Sequence, residues 1–207
     1  APDSNTDIGI QVWTNADNNT VADNEAHWNT NDGIYISGSV GNSVRDNRVH
    51  FNSGNGIYFF SGANVGRVSG NSSRANSLHG IRVFASSNNI IVQNEFVNNT
   101  RYQIYIDALS SSDTAQKNNI QTSSTNPDSG VYNASTAVGV KFTMTRNWWN
   151  STDTDRIERM MYQASNGDSV IWQPFRLGAV DTASGADTIA PKAPDSVTIA
   201  AAAGGDS

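Results

Sequence analysis

The sequence predicts an all-β fold, a parallel β-helix of about 23–24 residues per coil with a short C-terminal capping helix. Three registers predict it. A Gly-Ile-x-aliphatic tetrad occurs as Gly9-Ile10-Gln11-Val12, Gly33-Ile34-Tyr35-Ile36, Gly56-Ile57-Tyr58-Phe59 and Gly80-Ile81-Arg82-Val83. A fifth copy, Gln103-Ile104-Tyr105-Ile106, lacks the glycine, and the steps between copies are 24, 23, 24 and 23. Nine residues before each of the last four tetrads stands an asparagine (Asn24, Asn47, Asn71, Asn94), and five residues later another (Asn29, Asn52, Asn76, Asn99). Three residues before the first set come Val21, Val44, Val68 and Ile91. A sustained period of this size means stacked structural repeats.

The step is too short for a pair of helices with their turns. Leucine-rich repeats have this length, but leucine is scarce. The in-register positions are Ile, Val and Phe, which favour strands. Within a tetrad, Ile34 and Ile36 alternate with Tyr35 and Ser37, the two-residue period of a strand. Three short strands fill one coil, with neighbouring coils about 4.8 Å apart. The asparagines then have a physical task. An amide can bond its own turn and the asparagine above and below it, and asparagine tolerates left-handed backbone geometry. The tetrad glycine is expected at a corner with positive φ. Turns this rich in asparagine generate glycosylation sequons such as Asn98-Asn99-Thr100 by chance.

The pattern resembles the right-handed parallel β-helix repeat family of bacterial and archaeal secreted and surface proteins, whose units read Asn-x-aliphatic and then Gly-Ile-x-aliphatic. The resemblance extends through Arg146-Asn147-Trp148-Trp149-Asn150, Asp153, Tyr162, Asp168 and Trp172-Gln173-Pro174-Phe175, a segment like the one that closes many members. Asn150 stands where the family usually has glycine, and Gln163 where it often has aspartate. The likeness covers residues 1 to about 180 and implies a right-handed coil. It implies no single activity, because the family holds lyases, epimerases, adhesins and proteins without a known reaction.

Three divisions are expected: coils over 1–146 with an inserted loop within 109–137, a cap over 147–180, and a Pro/Ala/Gly linker over 181–207 leading to a further module. The sixth tetrad is expected at Gly139-Val140-Lys141-Phe142, 36 residues after the fifth. In the cap, Thr152-x-x-Asp155 reads as a helix start, and Ile157, Met160 and Met161 fall on one face. That face, with Trp148, Trp149, Trp172 and Phe175, is expected to cover the last coil's interior. Ala1-Pro2-Asp3 begins inside a coil, so the chain reads as a piece of a longer solenoid.

The net charge of −6 carries no basic nucleic-acid footprint. The absence of cysteine excludes disulfides and thiolate metal sites, and no run of 18 apolar residues suggests membrane insertion. An extracellular or cell-surface setting fits the mild acidity.

Two constellations are candidate sites. The middle residues of the tetrads should point outward, one above another: Gln11, Tyr35, Tyr58, Arg82 and Tyr105. Two positions on lie Trp13, Ser37, Phe60, Phe84 and Asp107, which either face out as well or turn inward at a corner. Facing out, the rings offer a carbohydrate-binding surface on Tyr35, Tyr58, Arg82, Tyr105, Trp13 and Phe60. The same column can serve the sheet alone, by ring stacking with a cation–π contact from Arg82. The second constellation is His27, His50, Arg74 and Asp46. It suits proton abstraction beside a uronate carboxylate, with a cation neutralising that carboxylate. No cofactor is expected; calcium could be drawn to Asp23 and Asp46, although adjacent coils make a poor cage. The reading these features favour is a non-catalytic β-helix segment of a large extracellular or cell-surface protein, a stalk or adhesin whose aromatic face can take polysaccharide. The alternative is a fragment of a polysaccharide lyase, hydrolase or epimerase acting on acidic glycans. The sequence leaves the oligomeric state open.

Overall fold

The computed structural model describes residues 5–135, 142–163 and 170–179. Its strands, three or four residues each, wind through three parallel sheets. The first sheet has seven strands: Ile10–Val12, Ile34–Ser37, Ile57–Phe60, Ile81–Phe84, Ile104–Ile106, Val131–Asn133 and Met161–Gln163. The second has five: Thr20–Ala22, Ser43–Arg45, Arg67–Ser69, Ile90–Val92 and Thr114–Gln116. The third also has five: Glu25–His27, Arg48–His50, Ser72–Arg74, Glu95–Val97 and Asn119–Gln121. About five turns of a β-solenoid result, as the periodicity predicts.

Each tetrad is a strand of the first sheet, and like residues stack. Ile34 pairs with Ile57, Ile57 with Ile81, and Ile81 with Ile104. All four isoleucines are fully buried. Each such burial contributes about 1.5–3 kcal/mol. The interior is completed by Val44, Val68 and Ile91 from the second sheet and by Val49, Phe96 and Ile120 from the third.

Asparagine ladders hold the corners. Asn47 donates from both its backbone N–H and Nδ2 to Asn71 Oδ1, at 3.0 and 2.9 Å. The same Nδ2 donates to the carbonyls of Val21 and Arg45. The pattern runs through Asn24, Asn47, Asn71, Asn94, Asn118 and Asn147. A second ladder, Asn29, Asn52, Asn76 and Asn99, ends where Gln103 Oε1 takes the acceptor's place. Corner groups that no sheet can satisfy are thus paired inside the molecule. At a third corner, Asn89 donates to Asp113 Oδ1 from its N–H and Nδ2, at 2.8 and 3.0 Å.

Several details differ from expectation. Positive φ does not fall on the tetrad glycines. It falls on the residue before each ladder asparagine, including Asp23, Asp46, Gln93 and Lys117 in one line and Trp28, Phe51, Ala75 and Asn98 in the other. The glycine is needed for close approach instead: a Cβ on Gly56 would lie 2.7 Å from Asn76 Nδ2 and from the Gly80 carbonyl oxygen. The sixth strand of the first sheet is Val131–Asn133, with Val131 paired to Ile104, so the step is 27 residues (131 − 104). The sixth tetrad is therefore Gly130-Val131-Tyr132-Asn133. It was hidden because a polar Asn133 replaces the final aliphatic residue. Of the tetrad expected at 139–142, only Phe142 lies within the described residues, and it is buried.

The C-terminal segment keeps winding. Thr143 bridges Thr114, Trp148 bridges Asn119, and Met161–Gln163 pairs with Val131–Asn133. The helix, Thr154–Arg159, occupies the passage from Trp148 to that last strand. Its N-cap is Asp153, one residue after the expected Thr152, and the Asp153 carboxylate accepts from the N–H groups of Asp155 and Arg156. Trp149, Ile157 and Met160 are fully buried, whereas Trp148 is only half-buried. Residues 181–207, the expected linker, lie outside the described residues.

Candidate functional site

The outward side of the first sheet carries Gln11, Tyr35, Tyr58, Arg82, Tyr105, Tyr132 and Tyr162, each paired with the next. Six strand spacings of about 4.8 Å make this strip roughly 29 Å long. Tyr105 stacks on Tyr132 at 4.9 Å and Tyr132 on Tyr162 at 4.5 Å. Tyr132 and Tyr162 extend the strip beyond the residues singled out from the sequence; placing the sixth tetrad at residue 130 would have found the first of them.

The second column also faces outward. Trp13 lies 6.0 Å from Tyr35, and Phe60 stacks on Phe84 at 5.3 Å. Trp13 is exposed, Phe60 and Phe84 are half-buried, and Ser37 is buried. Arg82 is held at the centre. Its Nη2 donates to Asp107 Oδ2 at 2.9 Å, and its guanidinium carbon lies 4.9 Å from the Tyr58 ring and 5.6 Å from the Tyr105 ring. The rings therefore serve the sheet and line its surface at once.

A third column, formed by the residue before the first position of each tetrad, was missed. It contains Asp32, Asn55, His79 and Tyr102. Asn55 donates from its N–H and Nδ2 to Asp32 Oδ1, at 2.6 and 2.8 Å. Burial pushes the Asp32 carboxyl up from its ordinary value. His79 forms a ring triangle with Tyr105 at 4.4 Å and Tyr102 at 5.9 Å, the two tyrosines lying 6.1 Å from each other. Burial, aided by Arg82 and Arg101, pushes its pKa down to about 3. The Tyr102 N–H donates to His79 Nδ1 at 3.2 Å, which places the proton of the neutral ring on Nε2. Burial likewise pushes the Tyr58 phenol up to about 12. At neutral pH both groups are hydrogen-bond donors. An open groove lies along this side, lined by Asp7, Gln11, Trp13, Asp32, Tyr35, Tyr58 and Arg82.

The other predicted constellation lies on the third sheet. His27 and His50 stack at 5.2 Å and 6°. His50 Nε2 lies 2.9 Å from Glu25 Oε1, and this contact, with Arg48 nearby, holds the Glu25 carboxyl below its usual range. Arg74 pairs with Glu95 at 3.0 Å. Asp46 sits at the corner and pairs with Arg45 at 2.9 Å. Each charge is thus turned to a neighbour on its own surface. Beside the histidines, Trp28 stacks on Phe51 at 4.8 Å, and both rings are exposed. Among the described residues, no three His, Cys, Asp or Glu side chains converge on a possible metal position. Among the same residues, no helix is long and apolar enough to cross a membrane.

A solenoid of parallel strands with internal asparagine ladders and one aromatic outer face defines the class. The chain belongs to the family described as "right handed beta helix region", whose model matches residues 3–148. No curated protein shows significant similarity to it. Among solved structures it is similar to a variant of the periplasmic alginate epimerase AlgG, with a TM-score of 0.62 at 16% identity over 81% of this chain and 41% of that one. It is also similar to XylC in complex with xylose, with a TM-score of 0.53 at 15% identity over 70% of this chain and 21% of that one. A third is the A-module of the Azotobacter vinelandii mannuronan C-5 epimerase AlgE6, with a TM-score of 0.54 at 14% identity over 81% and 54%. The chain thus spans only about half or less of each neighbour, and identities this low carry the fold alone.

Proposed function

We propose that this chain is a non-catalytic β-helix segment of a secreted or cell-surface protein, and that it binds polysaccharide along the outward face of its first sheet. The observation that carries this reading is the unbroken strip from Gln11 to Tyr162, flanked by Trp13, Phe60 and Phe84 and opening into the groove beside Asp32. Aromatic faces stack on the apolar faces of sugar rings, and a repeat every coil suits a repeating ligand. The neighbours' titles, alginate epimerase and a complex with xylose, point the same way. Burial holds His79 neutral and Tyr58 un-ionised, so both carry a hydrogen-bond donor suited to sugar oxygens. As a rigid solenoid the segment would also act as a stalk. The reading needs no cofactor, and the binding assays are run with and without calcium.

A second reading, a lyase, hydrolase or epimerase fragment, is favoured by the gathering of Tyr58, His79, Arg82 and Tyr105 in one place. A glycan array separates the two when combined with assays for unsaturated uronates, new reducing ends and C5 inversion, the products of a lyase, a hydrolase and an epimerase in turn. The binding reading expects Tyr35→Ala and Tyr58→Ala each to weaken binding by about 1 kcal/mol, while His27→Ala and His50→Ala leave it unchanged. Product formation would establish the enzyme instead, and loss of that product on replacing His27 or His50 would place catalysis on the third sheet.

A further inference from the structure

We infer, resting on the binding reading above, that the ligand is a neutral polysaccharide rather than a polyuronate. The inference comes from charge balance along the strip. A uronate chain carries one carboxylate per sugar, so it needs cations repeated along its path. Only Arg82 supplies a cation within the outward column, and it is committed: Asp107 accepts from it at 2.9 Å and three rings surround it, Tyr58, Phe84 and Tyr105. His79 supplies none, since the neutral ring is buried against Tyr102 and Tyr105. Arg101 lies on the flank, where its charge is felt at His79 and Tyr102, and it is a single charge at one coil. The groove itself is lined by two carboxylates, Asp7 and Asp32. A chain of carboxylates laid there meets like charge.

The remaining chemistry suits sugar hydroxyls. Carboxylates accept from hydroxyl groups, the amides of Gln11, Asn31 and Asn55 both donate and accept, and the phenols donate. Trp13 tilted against Tyr35 provides the apolar platform beside them. Aromatic rings with acceptor carboxylates and amides recognise a neutral pyranose without a free cation.

The test is affinity electrophoresis and calorimetry of the full chain with xylan, glucomannan and a mixed-linkage glucan on one side, and alginate and polygalacturonate on the other. At least one neutral polymer should bind, with an affinity that is flat in salt, and Tyr58→Ala should weaken it by about five-fold or more. Asp7→Asn, at an exposed position, should weaken it as well, by removing an acceptor. The polyuronates should not bind. If a polyuronate binds, weakens with salt, and is strengthened by Asp7→Asn, the inference is overturned; loss of that binding in Tyr58→Ala would leave the binding face intact. If no polymer of either class binds, the binding reading fails and the inference goes with it.

Discussion

Arg82 reaches across one coil spacing to Asp107 and donates to its Oδ2 at 2.9 Å, so the one cation of the outward column is neutralised within its own sheet. The partners are only partly exposed, at 29% and 14% of their side-chain surface. Asp107→Asn keeps the acceptor for the Ala108 N–H but releases the guanidinium. We expect a stability loss of about 1 kcal/mol by urea unfolding, together with a new, salt-sensitive affinity for polyuronate by affinity electrophoresis.

The ladders predict a graded series. Asn71→Ala orphans the buried Asn47 N–H, while Asn47 Nδ2 keeps the Val21 and Arg45 carbonyls and the Ser69 carbonyl keeps the Asp46 N–H; the Val44 carbonyl loses the amide donor. A buried orphan costs about 1–3 kcal/mol, and the loss should fall in that range. Asn24→Ala, exposed at the ladder's first position, should cost less than about 1 kcal/mol. Chemical denaturation of both variants checks the ratio.

Ile57→Ala removes the middle of a fully buried column. A loss of about 2–5 kcal/mol is expected from the cavity, measured by the same denaturation.

Two buried groups give the stability opposite pH slopes. His79 sits at about 3 against an ordinary 6.5, so the unfolded chain binds a proton that the folded one refuses. Its contribution is full above pH 6.5 and is lost as the pH falls towards 3. Asp113 sits at about 7 against an ordinary 3.8, because burial disfavours its charge. Its contribution is full below pH 3.8 and is lost as the pH rises through 7. Asp113→Asn keeps the acceptor for Asn89 and removes the titration. It should leave stability at pH 4 nearly unchanged and raise it at pH 8, by urea unfolding at the two pH values.

Much of the fold was legible because a solenoid repeats its physics. A register visible in Ile34, Ile57 and Ile81 specifies both the buried column and the stacked sheet, and Asn47 and Asn71 declare their ladder by spacing alone. The reading lost its place where the period broke. Asn133 broke the aliphatic signature, so the sixth strand was sought at residue 139 and Tyr132 and Tyr162 were missed. His79 was missed for another reason. Its column, Asp32, Asn55, His79 and Tyr102, shares no residue type, and only coordinates reveal that those side chains line one edge. The histidine pair His27 and His50 stood out by contrast because it repeats, although its outward partner is the exposed Glu25.

The most direct test of the binding face is hydroxyl-radical footprinting of the aromatic residues with and without a saturating neutral polysaccharide. Trp13, Tyr58, Tyr105, Tyr132 and Tyr162 share the first sheet's outer face, while the exposed stack of Trp28 and Phe51 lies at another corner and serves as the internal control. Protection confined to the first group is the predicted result. Protection of Trp28 and Phe51 with the strip left open to oxidation would contradict it.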